Sequence, residues 1–225
     1  MKWCRKQIAI SVIAPLLLTI GCASVPRQQS DYSKFREEDP RSILIVPVVN
    51  RSIDVDAPDY FLSTSSLPVA ERGYYVFPVN MIKHVLEDDG LSDADLVHNA
   101  DSKRLAELFG ADSILYISIE RWDAKYAVFS TTVTVQFNYI IKSGKTGEVL
   151  WQTSESLVYT PQNNNSSGNT LADLIGMAIT AAITKAAPNY IPLAKQANDM
   201  AVTKPHKGLP AGPYLESYKN DMDSY

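Results

Sequence analysis

Cysteine is almost missing from this chain: only Cys4 and Cys22 occur in 225 residues. Histidine is nearly as scarce, with His84, His98 and His206 far apart. They make no H-x-x-x-H or H-E-x-x-H spacing, so no metal site is expected of them. Neither charge sign prevails: 21 Lys and Arg stand against 25 Asp and Glu, a formal net charge of −4. Nucleic-acid phosphates call for a basic face, and this balance argues against one. With 10 Gly, 13 Pro and 45% hydrophobic residues, collagen-like, disulfide-scaffold and wholly disordered chains are excluded. No uncharged apolar run reaches the roughly 20 residues of a bilayer-spanning helix. The length suits one ordinary domain with tails.

What is present is plainest at the N-terminus. Lys2, Arg5 and Lys6 precede an apolar stretch from Ile8 to Ile20, which ends at Gly21-Cys22-Ala23-Ser24. A basic start, a short apolar run and a small residue before the cut describe a secretory signal peptide over 1–21. Thr19-Ile20-Gly21-Cys22 resembles the bacterial lipobox, with Thr19 where Leu is usual. That resemblance implies cleavage between Gly21 and Cys22 and acylation of Cys22, palmitate on its sulfur included. Acyl chains, each contributing about 0.8 kcal/mol per buried methylene, hold a protein at a membrane without a transmembrane helix. No Asp follows Cys22, which resembles the sorting pattern of outer-membrane lipoproteins. Leader removal takes three basic residues and no acid, so the net charge of −4 falls by three, to −7. The mature chain then has no free thiol, which excludes disulfides, cysteine nucleophiles and thiolate metal sites.

Beyond Cys22 the sequence divides into a polar lipidated tether over 22–41, a periplasmic α/β domain over 42–203 and a flexible C-terminal tail over 204–225. Ile43 to Asn50 reads as a buried strand interrupted at Pro47. Pro58 opens a helix over Asp59–Leu67, which Pro68 should stop. Gly73 to Val79 is a short strand. Ile82, Val85 and Leu86 mark one helix face. Leu105, Leu108 and Phe109 mark another, ending at Gly110 in a left-handed cap. Ile114 to Trp122, the alternating stretch Thr132 to Ile141, and Val149 to Tyr159 are strands, the last two joined at Ser143–Gly147. Leu171 to Ala186 follows the i, i+3, i+4 pattern throughout, and Tyr190 to Val202 continues as a second helix. The order implies a three-layer α/β sandwich around a mixed β-sheet.

Few residues suggest chemistry. Gly144-Lys145-Thr146 lacks the second glycine of a phosphate-binding loop and sits between two strands, which makes it a hairpin turn. Acids at Glu37-Glu38, Glu87-Asp88-Asp89 and Asp93/Asp95 read as solvated surface rather than a glycosidase pair. Ser63-Thr64-Ser65-Ser66 has no flanking glycines and is no nucleophile elbow. The reading is therefore of a non-enzyme, with no cofactor. Tyr74, Tyr75 and Trp122 are candidate interface anchors by residue type, with core packing as the alternative. Small residues along Leu171–Ala186 suit either close packing on the sheet or a contact between protomers.

Three segments carry a family resemblance: Gly73-Tyr74-Tyr75-Val76-Phe77-Pro78-Val79, Leu108-Phe109-Gly110-Ala111-Asp112 and Thr146-Gly147-Glu148-Val149-Leu150-Trp151. Together they resemble an uncharacterised bacterial lipoprotein family that includes a meningococcal genome-derived antigen. The last two are similar to elements of the TolB N-terminal domain, the peptidoglycan-synthase activator LpoB and the curli secretion lipoprotein CsgG. The resemblance implies a TolB-like fold and a CsgG-like lipoprotein encoded nearby, and it supplies no catalytic residue. The expectation is an outer-membrane lipoprotein, facing the periplasm, that binds envelope proteins as an accessory to assembly or secretion. The alternatives are an LpoB-like activator and, behind it, an envelope hydrolase.

Overall fold

The computed structural model describes residues 30–127, 130–160, 170–183, 189–221 and 225. The signal peptide, Gly21, Cys22 and the last three residues of the helix read over Leu171 to Ala186 lie outside the described residues.

A short helix, α1 (Ser33–Glu38), leads into β1 (Ser42–Ile45) and β2 (Val49–Asn50). Both run parallel to β4 (Ser113–Ala127), Ile43 opposite Ser113 and Val49 opposite Ser118, with Pro47 in the break between them. Side chains alternate across a strand, and in β1 both sides are inside. Ile43 and Ile45 enter one core while Leu44 and Val46 enter the other, which explains the unbroken apolar run.

α2 (Ala57–Glu71) follows, then β3 (Tyr75–Val76), parallel to β1 at one sheet edge. α3 (Val79–Asp88), α4 (Ala94–Asn99) and α5 (Ser102–Phe109) come next. Asp93 caps α4 by accepting from the backbone N of Asp95 and Leu96, and Asp101 caps α5 through Lys103 N. Gly110 ends α5 at φ 70, as expected. β4 then pairs antiparallel with β5 (Ser130–Ser143), and β5 with β6 (Val149–Tyr159). The sheet is thus mixed, in the order β3-β1-β4-β5-β6, with β2 beside β4. α6 (Thr170–Ile183) and α7 (Ile191–Thr203) complete the elements.

The layers are as the sequence implied. α2, α6 and α7 supply Phe61, Ile179, Ile183, Leu193 and Ala197 to the core on one sheet face. α3, α4 and α5 supply Ile82, Leu86, Val97 and Leu105 to the core on the other.

Four expectations differ from the structure. The strand read over Gly73 to Val79 narrows to Tyr75–Val76, and Val79 opens α3. Pro68 does not stop α2, which runs on to Glu71. Proline forfeits one amide donor, and here that loss falls in the last turn, while Pro68 itself is buried with Val69 against the core. The tether segment contains α1, with Tyr32 5% and Phe35 3% exposed. Two aromatics in a polar stretch give no period to read. The tail after 203 is packed down as well, with Leu209 fully buried. Tyr32 Oη donates to Gly208 O at 2.8 Å, Arg72 pairs with Asp221 at 3.1 Å, and Gly212 N donates to Arg72 O at 2.6 Å. Gly73, at φ +85, and Gly212 make this approach feasible: a Cβ on Gly212 would lie 2.4 Å from Gly73 O.

Candidate functional site

The motif residues can be followed one by one. Asp112, at the end of Leu108-Phe109-Gly110-Ala111-Asp112, accepts from Arg41 N, Ser42 N and Ser42 Oγ, each at 3.0 Å. It clamps the start of β1. In the hairpin segment, Gly147 takes the left-handed conformation, φ 77, and its N–H returns to Ser143 O at 3.0 Å. Trp151 donates its indole N–H to Lys207 O at 2.8 Å and so fastens the C-terminal segment. In the first segment Tyr74 is 4% exposed and donates to Pro210 O at 3.0 Å, and burial pushes its phenol far up. Asp112, Gly147, Trp151 and Tyr74 are therefore engaged in architecture.

For two of the three candidate anchors the alternative, core packing, is what the structure has. Tyr74 and Trp122 belong to the core; Trp122 is 1% exposed, with its ring 5.8 Å from Phe61 and 5.7 Å from Tyr190. Tyr75 is different. Period-two alternation turns it outward at the sheet edge, 52% exposed, where its ring meets Phe77 edge-on at 5.1 Å. The two aromatics line an open cleft of about 470 Å³ with Leu67 and Ala70 of α2, Pro78 and Val79. No ionisable side chain other than the two tyrosine phenols lines it. Leu67 was not among the candidate residues; it stands exposed, off the buried stripe of Phe61, Leu62, Ser65 and Val69.

The two sheet edges contrast. β3 is two residues long, and Tyr75, Phe77 and Leu67 gather beside it. β6 is eleven residues long, with a larger groove of mixed lining, about 800 Å³, bordered by Lys34, Val149, Trp151, Gln152 and Lys207. Glu155, on the core side of β6, is 8% exposed and paired with Lys204 at 2.5 Å. An inward charge on an edge strand opposes pairing with another chain. The exposed apolar cleft thus lies at the β3 edge, away from that charge.

The groups read as non-catalytic sit apart. The Ser63, Thr64 and Ser65 hydroxyls donate to α2 carbonyls of Tyr60 and Leu62. His84 approaches Glu87 at 3.2 Å, His98 donates to Pro47 O at 2.9 Å, and His206 O accepts from Ser30 N. Among the described residues no three His, Cys, Asp or Glu cluster as metal ligands, and no helix is long and apolar enough to cross a membrane.

Comparison with known proteins follows the same lines. A Neisseria meningitidis serogroup B (strain MC58) protein described as "Putative lipoprotein NMB1124/NMB1162" is 29% identical over 213 residues, covering 92% of this chain and 96% of its own. The crystal structure of lipoprotein GNA1162 from Neisseria meningitidis superposes with a TM-score of 0.53 at 30% identity, covering 63% of this chain and 97% of that one. The LpoB C-terminal domain of Salmonella enterica aligns more loosely, at a TM-score of 0.37 and 20% identity over 52% of this chain and 83% of that one. The family model described as "Putative lipoprotein GNA1162-like" matches residues 30–214, so this chain belongs to the GNA1162-like lipoprotein family.

Proposed function

We propose that this protein is anchored by acyl chains on Cys22 to the periplasmic face of the outer membrane. There it acts as a protein-binding accessory of an envelope assembly or secretion system whose partner is a CsgG-like lipoprotein. The observation that carries the binding role is the cleft at β3. Tyr75, Phe77 and Leu67 place aromatic and aliphatic surface in a concave site lined by no Asp, Glu, His, Lys or Arg. Apolar concavities edged by aromatics are where a partner's side chains gain most from leaving water. The family assignment supports the lipoprotein part, and the resemblance of Thr19-Ile20-Gly21-Cys22 to a lipobox supports Cys22 as the acylated residue.

The test is site-specific photo-crosslinking in living cells. A photo-reactive amino acid replaces Tyr75 or Leu67 in the full chain, with Glu216 as a control position. Crosslinks to a CsgG-like lipoprotein from the cleft positions alone support the proposal. Crosslinks to a peptidoglycan synthase would transfer the assignment to the LpoB-like alternative. A crosslinking pattern identical at Glu216 would remove the cleft from consideration.

A further inference from the structure

α4 is the shortest helix over the second core, with six residues, and it is fastened at few points. Val97 is fully buried beneath it. Asp95 pairs with Arg51, just beyond β2. His98 Nε2 lies 2.9 Å from Pro47 O, in the break between β1 and β2. A carbonyl only accepts, so Nε2 carries the hydrogen and the neutral ring keeps a bare Nδ1. An incoming proton must settle on Nδ1.

That position is poorly placed for charge. The His98 ring packs edge-on against Tyr116 at 5.1 Å, and Lys142 Nζ lies 4.9 Å from the centroid of the same tyrosine ring. Lys142, from β5, and Arg51 are permanent cations facing the histidine. Asp95 is the one acid acting on it, and its carboxylate is already taken by Arg51. Asp101, beyond the end of α4, acts on Tyr116 instead. The Tyr116 hydroxyl is buried without a hydrogen-bond partner among the described residues. Burial, first, and the two cations hold the His98 pKa below its ordinary 6.5, against the Pro47 hydrogen bond and Asp95.

We propose that α4 is an acid-sensitive latch: a proton taken from solvent onto His98 Nδ1 loosens Ala94–Asn99 from the β1–β2 corner while the sheet stays folded. The sign follows from linkage. A histidine with a depressed folded pKa binds protons more readily when released, so opening is favoured as pH falls below about 6.5 and levels off below the folded pKa. Within that window one proton changes the opening equilibrium by up to about tenfold per pH unit.

The experiment is amide hydrogen exchange on the full mature chain between pH 7.5 and 5.0, with intrinsic rates corrected to protection factors. The expected result is protection over 94–99 falling by up to about tenfold per unit below pH 6.5, while central amides of β4 and β5 hold steady. His98→Gln keeps a donor for Pro47 O but cannot titrate in this range, and its α4 protection should be flat. Protection in the wild type that is flat with pH would overturn the proposal. So would a pH response that persists in His98→Gln. Should that variant not fold, NMR titration of the His98 ring in the wild type decides: an ordinary or raised pKa rejects the latch, a depressed one supports it.

Discussion

Asn198 Nδ2 donates to Thr64 Oγ1 at 2.7 Å, joining α7 to α2 inside the core. Asn198 is fully buried and also donates to Phe61 O at 3.1 Å, while its side-chain oxygen accepts from the Tyr139 hydroxyl on β5. Four polar groups are satisfied where apolar packing alone would leave the helix–sheet register loosely specified. Asn198→Leu strands the Tyr139 hydroxyl, and it should destabilise the protein by about 2 kcal/mol. Tyr139→Phe should restore part of that loss. Urea unfolding of both single variants and the double variant checks it; simple additivity would mean that the residues do not act as one network.

The three aromatics first considered as anchors should separate cleanly. Trp122→Ala empties a core position and is expected to cost about 3–5 kcal/mol. Tyr75→Ala removes a half-exposed ring and should change stability by about 0.5 kcal/mol or less, yet weaken partner crosslinking. Thermal melts read the first difference and crosslink yield from Leu67 the second.

The approach of Gly212 to Gly73 predicts a steric contrast. Gly212→Ala sets a methyl 2.4 Å from a backbone oxygen, and the expected loss is about 1–3 kcal/mol. Gly90→Ala has open space around its Cβ and meets only the strain of φ +83, about 1 kcal/mol. A Gly212 variant as stable as the Gly90 variant would contradict the packing of the C-terminal segment.

Acid should loosen the C-terminal segment. Burial works to raise the Asp39 pKa, but hydrogen bonds from Tyr218 and Lys219 outweigh it and hold the carboxyl below its ordinary 3.8. A depressed acid stabilises above its unfolded pKa and loses that contribution as pH falls through the folded one. Stability measured from pH 5 to pH 2.5 should fall more steeply in the wild type than in Asp39→Asn.

The proposed acylation at Cys22 predicts that Cys22→Ala takes up no labelled palmitate and is mislocalised as the unprocessed precursor. Label retained by that variant would reject the lipid assignment.

Patterned elements were legible in the sequence. The alternation in β5, the Gly110 stop and the two-sided burial of β1 follow from periodicity and glycine chemistry. What escaped was long-range. Tyr32 and Phe35 have no local reason to be buried; their partners are Gly208 and Tyr74. Asn198 reads as a polar helix residue until Tyr139 is placed opposite it. The cleft escaped because it joins Leu67 of α2 to Tyr75 and Phe77 across a turn at Gly73. Neither segment is unusual alone.

The docking of α1 on the C-terminal segment has a mechanical consequence. Ser30 is fastened to His206 and Tyr32 to Gly208, so the start of the described body is held by a segment almost two hundred positions further along the chain. Were that segment to let go, α1 would lose its clasp, and the next hold on the chain would be Asp112, which accepts from Arg41 N and Ser42 N. The residues after α7 thereby decide whether the folded body begins before α1 or only at β1.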